Sequence, residues 1–461
     1  LTVLINFNLW SNSVAIIALI IIAPIFSIFY YAILGDTSLW PHLFSTVLPR
    51  YFTNTIILMF GVGGLSLVFG LTTAWIVTRY NFFGKKFFEW MLLLPAAVPA
   101  YIIAYTYTDF FEYAGPLQSL LRDIFGWTSS KDYWFPNVRS MGGAILVMSS
   151  VLYPYVYLMT RASFITTPIS FFQTSSIYGR NSFFNVAIPF GRPGIIAGLA
   201  LVLMETISDF GTVDYFAIET LTLGVFNVWL GMNSLSGASQ ISSILFMIVI
   251  VLLTLEYLGR RSRKFHEKYS GASYTPTQTV SGVKNSLLFL ICLIPLSLGF
   301  IIPVSILLNF VIKGYSIINF IEIFQITLSS ISLAFISSSF IMLLSLLMII
   351  VGAYKSNNFQ KILIFFASSG YAFPGTILAV GIVVFVGWLN DLIYFRMSYA
   401  VGGFIILLFA YSIRFLAVGN GAITSGISRI HPNLLDASRT MGVSFFKSIR
   451  KIILPLLYTN L

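Results

Sequence analysis

The chain has 461 residues, of which 57% are hydrophobic and only 9% charged, against about 25% charged in an ordinary soluble domain. Apolar stretches of the roughly 20 residues needed to cross a bilayer recur along its whole length, which excludes a soluble protein with a core behind a charged skin. The net charge of +11 does not mark a nucleic-acid binder, because the basic residues sit in short gaps between apolar runs.

In chain order the hydropathy predicts ten spans, near 14–34, 52–78, 88–108, 141–161, 193–213, 241–259, 286–312, 326–354, 361–387 and 399–420. The first run lacks a basic leader and is long enough to stay as a span. The apolar tail from Ile452 to Leu461 reads as the opening of an eleventh, and the chain begins on Leu1 rather than Met. Both features predict a piece of a longer protein. The single cysteine, Cys292, excludes a disulfide within the chain or a cysteine metal cluster. His42, His266 and His431 are scattered over different gaps, so no histidine metal site is predicted either. Gly84-Lys85-Lys86 resembles the end of a phosphate loop, but position 79 is Arg where that loop needs Gly.

The gaps also set an orientation. With the first span running outward, the inward gaps hold 20 of the 26 basic residues, a bias that predicts a cytoplasmic N-terminus. Gaps 79–87, 161–192, 260–284 and 421–453 then face the cytoplasm. The one long polar segment divides the chain into a first half (1–270, six spans), a linker (271–285) and a second half (286–461). The halves echo each other. LLLPAAVPAYIIAY (92–105) resembles SSGYAFPGTILAVG (368–381), each a proline-kinked span with small residues for close helix packing, and LYPYVYLMTR (152–161) resembles AYSIRFLAVG (410–419). Internal repetition of this kind suits a transporter better than a membrane enzyme.

After the fourth span of each half comes a long inward gap of similar design, 162–192 and 421–455. The second reads LLDASRTMGVSFFKSIRKIILPLL (434–457). Its pattern predicts a short helix, a glycine-permitted turn, a second helix, and a proline tolerated where the next helix starts. This segment resembles the EAA loop of type I ABC importer permeases, whose pattern is Glu-Ala-Ala, three residues, Gly, nine residues, Ile-x-Leu-Pro. Asp436, Ala437, Ser438, Gly442, Ile452, Leu454 and Pro455 fall on that spacing, with Asp for Glu and Ser for the second Ala. The first copy departs further. Gln173-Thr174-Ser175 stand for Glu-Ala-Ala, then comes Gly179, and Pro189 arrives ten residues after the glycine instead of thirteen. Three residues are nearly one helical turn, so its second helix should be short or partly unwound.

A further run narrows the resemblance. Met204-Glu205-Thr206 and Asp209-Phe210-Gly211-Thr212-Val213, followed by Asp214, are similar to the fifth span and following loop of fused, two-half iron(III) permeases. That resemblance covers essentially the whole chain. It implies an all-α polytopic membrane protein of two homologous halves, about twelve spans when complete, in a bacterial inner membrane. It further implies a pore that is not itself an enzyme and carries no cofactor, ATP being bound by a dimer of partner ATPase subunits. Cargo would come from a periplasmic solute-binding protein. Gln173, Gly179, Pro189, Asp436, Ala437, Ser438, Gly442, Leu454 and Pro455 would then contact the ATPase. Glu205, Asp209 and Asp214 would line the outer pathway, with no firm metal site.

Other readings stay open. Related fused permeases carry thiamine or phosphonates. An ion-coupled secondary transporter would need ionisable residues near mid-membrane, and little beyond Glu205 qualifies. The acids after the fifth span also have two readings: Glu205 and Asp209, four apart, share one helix face and meet cargo, or they cap helix ends and hold the outer gate.

Overall fold

The computed structural model describes residues 9–261, 278–314, 319–354, 358–368, 370, 373–393, 399–427, 433–441, 443 and 445–458. Residues 271–277 of the linker and Gly442 therefore lie outside the described residues. Among the described residues eight helices are long and apolar enough to cross a membrane, and a bent pair makes a ninth. The protein is an all-α, multi-pass membrane protein.

Two predicted spans are broken. The third is a pair, Lys85–Ala97 and Ala100–Phe125, bent by 89°. The cause is local: Pro99 forces the preceding Val98 into extended backbone (φ −104°, ψ 122°), as the proline ring disfavours helix just before it. The ninth is two shorter helices, Asn358–Ala367 and Gly375–Ile393, with Pro374 immediately before the second.

By packing the chain forms two compact units, residues 36–318 and residues 1–35 with 319–461. The first holds α2 (Trp40–Thr46), α3 (Leu48–Arg79), α4 (Lys85–Met91), α5 (Ala100–Phe111), α6 (Pro116–Phe125), α7 (Met141–Ile165) and α8 (Ile169–Ile177). It continues with α9 (Ile188–Ser208), α10 (Gly211–Tyr215), α11 (Leu221–Phe226), α12 (Leu235–Arg261), α13 (Val283–Leu296) and α14 (Ile302–Gly314). Its centre is α7, gripped between α3 and α9. Missing side chains make that grip possible. A Cβ on Gly70 would lie 2.6 Å from Val156 Cβ, and one on Gly198 would lie 2.7 Å from the Val156 backbone. A Cβ on Gly194 would strike the Met159 carbonyl. Such small-residue contacts are how helices associate where lipid removes the hydrophobic driving force. Tyr51, Leu58, Val62, Val147, Met148, Val151 and Val202 fill the remaining space.

The opening helices of the second sequence half, α13 and α14, are built into this same unit, against α3, α5 and α7. The Asn285 side chain accepts from Phe83 N at 2.8 Å, and Gly299 lies against the Ser150 carbonyl. Ahead of α13, Gln278–Thr279 (β2) pairs in parallel with Tyr80–Asn81 (β1).

The other unit contains α1 (Leu9–Leu34), α15 (Phe320–Tyr354), α16 (Asn358–Ala367), α17 (Gly375–Ile393), α18 (Tyr399–Ile427), α19 (Asn433–Thr440), α20 (Phe445–Ser448) and α21 (Leu454–Tyr458). Here α1 packs on α16 and α17, and α15 on α18. Ser27 Oγ donates to Gly381 O at 3.0 Å, and a Cβ on Gly381 would lie 2.5 Å from the Pro24 carbonyl. The repeats read from the sequence and the units built by packing are thus different partitions. Each unit takes its body from one sequence half and a leading helix from the other.

The glycine grip on α7 is testable. Gly198→Val should destabilise the detergent-solubilised protein by about 1–3 kcal/mol, the usual cost of overpacking, read as a lowered melting temperature. Gly64→Val, whose Cβ meets nothing within 4 Å, should cost less than half as much.

Candidate functional site: two helical loops and the polar turn after the fifth span

The first loop starts where Pro168, with extended backbone, caps α8. Gln173 and Thr174 face outward and Ser175 is buried. The helix ends at Gly179, whose φ of +61° is the left-handed conformation glycine adopts without a Cβ clash. The Arg180 amide then reaches back to the Ser175 carbonyl at 2.9 Å, the closure that satisfies carbonyls at a helix C-terminus. Ser175 Oγ donates to Arg180 O at 3.0 Å, and Ser182 Oγ lies 3.4 Å from Ser175 Oγ. From there a π turn, Phe183–Ala187, leads straight into α9, with Pro189 in its first turn.

An aromatic box ties this loop to the end of α3. The Trp75 ring sits 6.1 Å from Phe172, 5.3 Å from Phe183 and 6.0 Å from Phe164. The Arg79 guanidinium lies 5.2 Å from the Phe172 ring centre.

The second loop repeats the construction. Asp436 falls in the first turn of α19, and Ala437 is exposed while Ser438 is buried. Met441 N donates to Ala437 O and Val443 N to Ser438 O, each at 3.1 Å. These are the same two closing bonds that flank Gly179 in the first loop. The hydroxyls of Ser438 and Ser448 are 2.5 Å apart. A π turn, Ile449–Ile453, follows and leads into α21, whose first residues are Leu454 and Pro455. Ile453 and Leu457 are fully buried beside Ile350 and Ile423.

Laid on each other, the loops show where the first copy is short. Seven residues separate serine from proline in both, Ser182 to Pro189 and Ser448 to Pro455. The whole deficit lies between glycine and serine, where the second loop has the extra helical turn α20. The serine pair itself was missed in the sequence. Counting back from each proline, rather than forward from each glycine, would have found it.

Of the two readings open for the acids after the fifth span, Asp209 has the geometry of the helix cap. The helix starts at the π turn and ends at Ser208, so Asp209 stands just beyond it, with φ −68° and ψ 124°. Glu205 and Asp209 therefore do not share a helix face. Asp209 instead caps α10: its carboxylate accepts from Thr212 N at 2.8 Å, Thr212 Oγ1 at 3.0 Å and Val213 N at 3.3 Å. Glu205 is partly buried in the last turn of α9, and Asp214 is exposed on α10. Beyond the turn Glu219 pairs with Arg50, and α11 follows, its start held by Leu221 N donating to Thr55 Oγ1 at 2.9 Å. Among the described residues no three His, Cys, Asp or Glu side chains come together.

No family model matches the chain. It is 24% identical over 426 residues to the Fe(3+)-transport system permease protein FbpB 2 of Haemophilus influenzae, covering 90% of this chain and 77% of that protein. It is 23% identical over 446 residues to the ferric transport system permease protein FbpB of Actinobacillus pleuropneumoniae, covering 88% of this chain and 61% of that protein. The molybdenum transport system permease ModB of Escherichia coli is 26% identical over 209 residues, 43% of this chain and 88% of that protein. With this fold and its duplicated loop, the chain is an ABC transport-system permease, a membrane pore subunit and not an enzyme. Its similarity to the permease named for Fe(3+) transport runs through nine-tenths of its length.

The serine pair should behave as a unit. Ser438→Ala or Ser448→Ala alone removes one side of this buried contact and should cost about 1–3 kcal/mol. The double variant should cost little more than either single one. Thermal unfolding of the four proteins checks this, and additive losses would show that the hydroxyls do not depend on each other.

Proposed function

We propose that the protein carries iron(III) from a periplasmic binding protein across the bacterial inner membrane to the cytoplasm, driven by a dimer of ATPase subunits. The observation that carries this reading is the loop built twice to one plan: a short helix, a glycine closure, a serine clasp and a π turn ahead of a proline. Each loop exposes a large side chain next to its glycine position, Tyr178 at 75% and Met441 at 72%, as a knob for a partner's groove would. Gln173, Gly179 and Pro189 in one loop, and Asp436, Ala437, Ser438, Gly442, Leu454 and Pro455 in the other, form the two ATPase contacts. Asp436 in a helix's first turn favours the positive end of its dipole, which Gln173 does not, so the second contact is the better formed.

The acids support iron over an oxyanion. Relatives named for molybdenum and sulfate transport make an anion the second reading. Yet Glu205, Asp209 and Asp214 repel an anion and attract a hard cation, which prefers carboxylate oxygen. Their roles divide by geometry. Asp209 shapes the outer turn as a cap, and Glu205, partly buried in the last turn of α9, is the acid that meets cargo. Asp214 lies exposed, where an ion would arrive.

Uptake of labelled iron by proteoliposomes, with binding protein and ATPase supplied, tests the assignment. Glu205→Gln should lower iron uptake by about tenfold, ~1.4 kcal/mol, at equal protein and unchanged basal ATP hydrolysis. Asp209→Ala should instead lower stability by about 0.5–2 kcal/mol, the scale of a lost helix cap. Normal iron uptake by the Gln variant, or uptake of molybdate in its place, would sink the iron reading.

A further inference from the structure

Helix α6 is amphipathic the wrong way round for a loop in water. Gln118 and Arg122, four apart on one face, point into the protein. Gln118 is 7% exposed; its Nε2 donates to Phe111 O at 2.7 Å, and its Oε1 accepts from Tyr133 OH at 2.5 Å. Arg122 Nη1 donates to Tyr113 O at 2.7 Å and Tyr133 OH at 3.2 Å, Nη2 donates to Ser119 Oγ at 3.0 Å, and the guanidinium lies 4.1 Å from the Tyr113 ring centre. The opposite face carries Leu117, Leu120, Leu121 and Ile124, the i, i+3, i+4, i+7 stripe of an amphipathic helix. Leu117 and Leu121 are half-buried at the edge of that stripe, and its outer part is open: Leu120 is 54% and Ile124 64% exposed, with Phe125 beside them at 60%.

Its height relative to the bilayer follows from how it is attached. The turn from α5 is tight, with Gly115 N donating to Glu112 O at 2.8 Å, and a Cβ on Gly115 would strike the Asp109 carbonyl. The first turn of α6 thus rests on the last turn of α5, at the outer end of the bent span. Beyond Gly126 (φ +69°), Trp127 stacks between Phe125 at 4.7 Å and Tyr133 at 4.6 Å, and Trp134 is 85% exposed. Tryptophan and tyrosine collect at the level where membrane meets water.

We infer that α6 lies in the outer membrane–water interface, its leucine and isoleucine stripe sunk toward the acyl chains and its polar face docked on the protein. The partner is the lipid surface. A short helix of this kind binds by its buried apolar face and lies along the bilayer plane. It fixes the height of the outer end of the 89° bend, which proline has left without a continuous helix to hold it. The inference takes from the functional reading only the choice of leaflet.

Spin labels test it on the intact transporter in nanodiscs of phosphatidylcholine and phosphatidylglycerol. Cys292, buried, is first replaced (Cys292→Ala), and nitroxides are attached at Leu120→Cys, Ile124→Cys and Asp123→Cys. Collision with oxygen and with a water-soluble nickel chelate should show positions 120 and 124 oxygen-rich and at least fivefold poorer in nickel contact than position 123. Adding binding protein should leave that contrast unchanged. Equal nickel access at all three positions overturns the proposal. Shielding of 120 and 124 only once binding protein is added also overturns it, and would assign the face to that protein instead. Either failure leaves iron uptake, and so the functional reading, untouched.

Discussion

A chain in hydrocarbon has no water to satisfy a broken helix, so every departure from helical geometry needs an answer from the protein itself. That constraint organises the unit formed by residues 36–318. At the π turn Ser297–Ile301, the Leu298 carbonyl accepts from the Tyr107 hydroxyl. Where α9 ends, the Ile207 carbonyl accepts from Thr222 Oγ1 at 2.5 Å, and Asp209 takes the amides of the next helix. Where α11 begins, Thr55 supplies the acceptor. The short polar side chains in these spans are the partners of interruptions elsewhere, and the interruptions surround the turn where cargo is proposed to enter.

Much of this was legible in the amino-acid sequence, and the reasons differ by feature. Span positions follow from hydropathy because lipid exposure demands it, and glycine and proline spacing exposed the duplicated loop. The prolines at 99 and 374 marked kinks in the third and ninth spans, but not how far each would open, because apolar residues continue through both and hydropathy does not register backbone direction. For Asp209 the sequence left two readings, a face shared with Glu205 and a helix cap. The signal that favoured the cap was Thr212, three residues on, where an acid caps the following turn. The building of α1 and of α13–α14 into units from opposite sequence halves left no local trace, since it is decided by contacts such as Ser27 to Gly381, hundreds of residues apart.

The two loops reach the same form with different materials. The second has its full length and sets Ile453 and Leu457 in an aliphatic cluster with Ile350 and Ile423. The first lacks a turn, and rings close the gap: Phe172 and Phe183 against Trp75, with Arg79 over Phe172. Aromatic pairs at these separations add to plain area burial, and the cation above the ring adds more. A shorter loop is thereby held against α3 by larger side chains.

What does not vary is the path out of each loop. A helix that must end at a glycine and restart within a few residues has two sets of unsatisfied backbone groups close together. The clasp joins the two helical segments through side chains, so the connection does not depend on how many residues lie between them. The π turn then carries the chain into the following helix at a fixed offset from proline. Under the proposed coupling role, a push on the exposed tip, at Tyr178 or Met441, would reach the next helix through the same seven residues in both halves. Length differences are absorbed ahead of the clasp, where they cannot alter that transmission, and this is how one loop could shorten by a turn while its link to the pore helix kept its geometry.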